Sequence, residues 1–208
     1  MNLPNDPVIE TSIRPERPKR CKSGINGLDL LLDGGFFFGT TILVHGSACS
    51  GIEQFALQFW RSQEASAQYL MIDSTPVEGM IIAEKFGVRE ISPLFSRGTV
   101  ILDSLSSVFL RSNINEIIAL IAEAKRNATE HSYNHFFILY KNIHPLSEET
   151  LLFRAFDVVI ELNEEVHGNE FIRTLHVSKV SGIDTPVRVF PFLIMRHGIE
   201  LSTTSRVV

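Results

Sequence analysis

The stretch Gly46-Ser47-Ala48-Cys49-Ser50-Gly51-Ile52-Glu53 restricts more than any other what this chain can become. An apolar run, Thr41 to His45, leads into it, and a helical pattern at Phe55, Ala56, Leu57, Phe59 and Trp60 leads out. A strand, a loop with two glycines and a helix, in that order, frame the phosphate-binding pattern G-x-x-x-x-G-K-[ST]. In that pattern backbone N–H groups, a helix N-terminus and a lysine hold a polyphosphate. Two positions depart from it. Ile52 stands where the lysine belongs, so neither charge nor donor is available, and Glu53 stands where a hydroxyl would bind magnesium. Glu53 puts a carboxylate in the first helical turn, where the helix dipole favours it by about 0.3–1 kcal/mol. It is expected to sit there as an ordinary first-turn acid, or to fold back and fill the anion site. Both readings weaken ATP binding.

Apolar runs suited to buried strands cover Thr41–His45, Gln68–Asp73, Thr99–Asp103, His135–Tyr140 and Val158–Leu162. Helical periodicity covers Ile52–Gln63, Val77–Phe86 and Asn113–His131, with Asn113 or Ser112 as cap and Glu116 as its capping-box partner. Strands apolar on both faces and separated by helices indicate a parallel sheet covered on both sides. After Asn163 the pattern alternates as in antiparallel strands, at Glu170–Val180 and Val187–Met195, with a short strand at Gly198–Leu201. The expected fold is therefore α/β in three layers, with a mostly parallel sheet and a C-terminal antiparallel extension. Residues 1–22 carry four prolines and a cluster of Arg14, Arg17, Lys19, Arg20 and Lys22, and are expected to form an extended basic arm before a domain at 23–208.

A length of 208 residues suits one domain, and a net charge of -5 gives no general pull toward nucleic acid or an anionic membrane. No apolar run approaches the roughly 20 residues that cross a bilayer, and Pro4, Pro7 and nearby acids stand where a secretory leader needs an apolar centre. A cytoplasmic protein is expected. Cys21, Cys49 and the seven histidines lack metal-ligand spacing, so no metal site is expected beyond magnesium carried by a nucleotide.

Four segments together resemble the KaiC-like branch of the RecA-type P-loop ATPases: Ser23-Gly24-Ile25-Asn26-Gly27-Leu28-Asp29, the loop at 46–53, Thr99-Val100-Ile101-Leu102-Asp103-Ser104-Leu105-Ser106, and the closing Arg173–Lys179 with Gly198-Ile199-Glu200. The resemblance implies a RecA-like fold, oligomers with ATP at subunit boundaries, and roles for particular residues. Asp103 matches the carboxylate that orients magnesium. Asp73, beside Ser74, keeps one of the paired acids that would activate water. Lys179 keeps the lysine of the family's K-x-R-G, while Ser181 replaces the arginine that would reach a neighbour's phosphate. An arginine finger is worth about 10³–10⁵ in rate.

With four such groups lost, a non-hydrolysing regulatory or scaffolding subunit is expected. It would bind ATP or ADP weakly at Gly46, Ser47, Ala48, Cys49, Ser50, Gly51, Ile52, Glu53 and Lys179, through the backbone amides of Ser47–Gly51, with Asp73 and Asp103 catalytic only if activity survives. Its expected partners are proteins: an active paralogue or further copies of itself in a homo-oligomer. One alternative is a divergent ATPase that borrows Lys22 or Lys179. The other is a DNA-binding recombination accessory, which the dispersal of Arg111, Lys125, Arg126, Lys141, Arg154, Arg173, Lys179, Arg188 and Arg196 disfavours. Phe36-Phe37-Phe38 reads equally as an exposed hydrophobic anchor or as core.

Overall fold

The computed structural model describes residues 19–63, 67–182 and 188–202. The first half of the chain forms β1 (Arg20–Cys21), α1 (Asn26–Leu31), β2 (Phe36–Phe37), β3 (Thr41–Gly46), α2 (Ile52–Ser62), β4 (Gln68–Met71), β5 (Ile81–Ile82) and α3 (Val88–Ile91). A 3-10 turn at Ser92–Arg97 leads to β6 (Val100–Asp103), α4 (Leu105–Phe109), α5 (Ile114–His131), β7 (His135–Tyr140) and α6 (Leu146–Ala155). The chain closes with β8 (Val158–His167), β9 (Glu170–Val180), β10 (Val189–Met195) and β11 (Gly198–Leu201).

Among the described residues nine strands make one sheet, in the order β11-β10-β9-β8-β3-β7-β6-β4-β5. From β8 to β5 neighbouring strands are parallel; β9, β10 and β11 add antiparallel partners beyond β8. The parallel strands are apolar on both faces because each face is covered. Ile42 and Val44 pack with Phe55 and Phe59 of α2 and with Phe136, whereas Leu43 points the other way, toward Leu120, Phe137 and Leu152. The rings of Phe55 and Phe59 lie 5.6 and 4.9 Å from that of Phe136. Asn113 caps α5 in a reciprocal box with Glu116, as the sequence indicates. Asp157 pins the amino ends of β3 and β8 together: its Oδ2 accepts the Thr41 N–H at 3.0 Å and the Thr41 hydroxyl at 2.9 Å.

Several expectations change. Val77–Phe86 is not a helix: Pro76 precedes it and Gly79 adopts φ 90, so the chain turns and Ile81–Ile82 joins the sheet beside β4. The strand from Gln68 ends at Met71, before Asp73, while β8 runs on to His167, past the expected Leu162. Most of the basic arm lies outside the described residues, but Arg20 and Cys21 pair antiparallel with Phe37 and Phe36. The three phenylalanines divide their roles. Phe36 is core, edge-on to Phe59; the Arg20 guanidinium sits 3.5 Å from the centre of the Phe37 ring; Phe38 is 46% exposed.

Candidate functional site

The loop between β3 and α2 lies at the carboxyl edge of the parallel strands, where ligands of open α/β sheets bind. Two of its amides are bonded within the loop. The Ser50 N–H and hydroxyl both donate to the Ser47 carbonyl, at 3.1 and 2.6 Å, and the Cys49 N–H donates to Ser47 Oγ at 3.0 Å. Ser50 is fully buried under the loop, so close to Gly46 that a Cβ on that glycine would meet Ser50 Oγ at 2.4 Å. Gly51 precedes α2 with φ 90, and a Cβ there would meet Ile194 Cδ1 at 2.6 Å. Ile52, in the lysine position, is fully buried in the core.

The β8–β9 ladder touches the loop twice. The Ser47 hydroxyl donates to the Glu164 carboxylate, and Arg173 Nε donates to the Cys49 carbonyl at 3.2 Å. Glu164 and Arg173 are register partners across that ladder. Arg173 also lies over the Phe171 ring, 4.6 Å from its centre.

Glu53 does not fold back into the loop. The Tyr140 hydroxyl, at the end of β7, donates to its Oε1 at 3.0 Å. The carboxylate that meets the loop is Glu164, more than a hundred residues later in the chain.

Beside Glu53 the structure brings together Asp73, just beyond β4, and Asp103, at the end of the adjacent β6. Asp103 is 1% exposed; its Oδ2 accepts the Tyr69 hydroxyl at 2.6 Å and the Ser74 hydroxyl at 3.4 Å, and its Oδ1 is buried without a partner among the described residues. Asp73 accepts the hydroxyls of Ser104, at 3.1 Å, and Ser107. Burial pushes the Asp103 carboxyl up to about 6; the Tyr69 hydroxyl pulls it down, and the neighbouring charges of Asp73 and Glu53 add to the rise. Burial, then the charge of Asp103, holds the hydroxyls of Tyr69 and Tyr140 well above the usual phenolic range.

The lysines lie elsewhere. Lys179 stands at the amino end of β8, opposite Val159, and its ammonium donates to the Phe153, Arg154 and Phe156 carbonyls at the C-terminus of α6. Lys22 lies at the far end of α2 from the loop, its carbonyl accepting from Ser62 and Gln63. The lysine bonded at the loop's edge is Lys141. Its N–H donates to the Gly46 carbonyl at 2.9 Å, while its ammonium is held by the Leu162 carbonyl at 2.9 Å and Asn163 Oδ1 at 2.5 Å.

On the opposite face of the sheet, His45 Nε2 lies 3.5 Å from Glu149 Oε2, and both ring nitrogens are buried without a hydrogen bond among the described residues. Burial, helped by the Lys141 charge, holds His45 down at about 4. Among the described residues no three His, Cys, Asp or Glu side chains are placed to hold a metal ion, and no helix is long and apolar enough to cross a membrane.

Tyr69, Tyr140, Lys141 and Glu164 are site residues that the motif pattern does not single out, and Arg173 lies in the closing motif without a role assigned to it. Their signal is positional: Tyr140 ends a parallel strand, Lys141 follows it, and Glu164 lies where β8 outruns its neighbour.

A mostly parallel sheet covered on both faces, an antiparallel extension and a glycine-bounded loop at the carboxyl edge define a RecA-like P-loop α/β fold. The solved structure of a KaiC-like protein from the hyperthermophilic archaeon Pyrococcus horikoshii OT3 is similar, with a TM-score of 0.72, 20% sequence identity, and cover of 89% of this chain and 100% of that one. At that identity the likeness is one of fold. No protein-family profile matches the sequence, and no curated protein matches it.

Proposed function

We propose that this chain is a KaiC/RecA-like domain that does not hydrolyse ATP and works through protein contacts as a regulatory or scaffolding subunit, with at most weak binding of ATP or ADP. The observation that carries this reading is the burial of Ile52. The side chain in the lysine's place is part of the core, with no exposed surface to offer a phosphate. Around it the chemistry is acidic. Glu53, Asp73 and Asp103 gather with tyrosines and serines where phosphoryl transfer needs cations to neutralise growing charge. The residues present do not fit magnesium-ATP: the hydroxyl ligand is a carboxylate bonded to Tyr140, and two loop amides are bonded within the loop.

Protein contacts are supported by the outward side of β10. Val189, Leu193 and Met195 alternate along that strand and are 56%, 63% and 45% exposed. The antiparallel part of a sheet that faces water is normally polar there. A further copy of this chain or an active paralogue is the partner class this supports.

A divergent ATPase is the second reading, favoured by the survival of Asp103 and Asp73 side by side and by Lys141 at the loop's edge. Phosphate release from the purified chain with magnesium-ATP separates the two. The proposal expects a rate at the protein-free background, unchanged by Asp103→Ala; turnover abolished by that substitution would establish the ATPase instead.

A further inference from the structure

We infer that Glu164 is a built-in anion for the phosphate loop, and that the Glu164–Arg173 rung of the β8–β9 ladder is a clasp holding the loop closed against external phosphate. This rests on the reading above, in which the loop is no longer a working ATP site, and it names what occupies the loop instead.

Three observations carry it. First, the Glu164 carboxylate takes the Ser47 hydroxyl, and Ser47 Oγ in turn takes the Cys49 N–H, so one carboxylate organises the front of the loop through a single side chain. Second, Arg173 fixes the other side of the same turn through the Cys49 carbonyl. The two are register partners, so they act on the loop as one unit. Third, the extension packs beneath the turn as well. A Cβ on Gly51 would meet Ile194 at 2.6 Å and Phe192 at 3.7 Å, so the sheet leaves the loop no room to move that way.

The electrostatics point in one direction. A polyphosphate approaching Ser47 meets the Glu164 charge, and the guanidinium that would attract it is engaged by a carbonyl and an aromatic face. Removing the carboxylate deletes the repulsion and leaves the Arg173 cation on the Cys49 carbonyl, three residues before α2 begins. The lost lysine charge is then restored from another part of the chain.

The test uses the full chain and magnesium-free pyrophosphate, titrated by isothermal calorimetry at low salt. Glu164→Ala is expected to bind pyrophosphate at least tenfold more tightly than the unmodified chain, and Glu164→Ala with Arg173→Ala to lose that gain. Glu164→Gln, which keeps the hydrogen bond from Ser47 without the charge, should gain part of it and serves in place of Glu164→Ala if that variant does not fold. Amide hydrogen exchange at Cys49 and Ser50 is expected to quicken at least tenfold in Glu164→Ala while exchange in β3 stays the same. Affinity and loop exchange unchanged in folded Glu164 variants would overturn the clasp, as would a gain that survives loss of Arg173. These readouts are independent of ATP turnover, so phosphate release by the unmodified chain would sink the functional reading while leaving this comparison to be judged separately.

Discussion

In an Asp103→Asn variant the side chain keeps its shape, and an oxygen for the Tyr69 hydroxyl, but can no longer ionise. The native carboxyl titrates near 6 rather than at the ordinary 3.8, chiefly because burial disfavours its charge. At about 1.4 kcal/mol for each pH unit of displacement, ionised Asp103 weakens the native state by about 3 kcal/mol. The sign follows from the protons bound. Between 3.8 and about 6 the native chain keeps a proton that the unfolded chain has already released, so stability falls as pH rises through that window. Below 3.8 the penalty is absent, and above about 6 it is complete. The amide nitrogen of Asn would occupy the place of the partnerless Oδ1, adding a pH-independent cost of about 1–3 kcal/mol. Urea unfolding followed by far-ultraviolet circular dichroism, at several values from near pH 4 to near pH 8, measures both chains. The stability difference, variant minus unmodified, should rise by about 3 kcal/mol across that range. A flat difference, or one that falls with pH, would refute the claim that burial governs this carboxyl.

His45 works in the opposite sense: held near 4 by burial, it stays neutral in the native state while the unfolded chain takes up a proton near 6.5. This group therefore costs stability as pH falls from about 6.5 to about 4, by about 3 kcal/mol, so in the same urea assay the stability difference, His45→Leu minus unmodified, should rise by about that amount as pH falls through the window. Gly51→Ala forces a Cβ onto Ile194 at a backbone angle of φ 90, and should lower stability by about 1–3 kcal/mol in the same urea assay; an unchanged midpoint would show that the extension yields easily.

What could be read from the chain and what could not divide along physical lines. β3, β6 and β7 stand out because a strand buried on both faces must be a run of apolar residues, and Asn113 with Glu116 marks the start of α5 because a cap needs those atoms three residues apart. Val77, Met80 and Ile81 have helical spacing, yet Pro76 and the left-handed Gly79 break the turn, and Ile81 joins an edge strand with Ile82 instead. α6 went unanticipated although Glu148 and Glu149 sit in its first turn, as helix starts favour. At the site, the loop and Asp103 are legible because their neighbours in sequence define them. Tyr69, Tyr140 and Glu164 are not, because each reaches the site by strand register. Tyr69 meets Asp103 only because Met71, two residues on, pairs with it.

The place of β3 at the centre of the sheet has a consequence for synthesis. Its flanking strands, β7 and β8, begin at His135 and Val158, so both neighbours of β3 leave the ribosome roughly a hundred residues after it does. Until then Ile42, Leu43 and Val44 wait as an unpaired, water-averse segment on the nascent chain. Pairings so distant along the chain form slowly and invite clumping, so efficient production should call for a holding chaperone during translation.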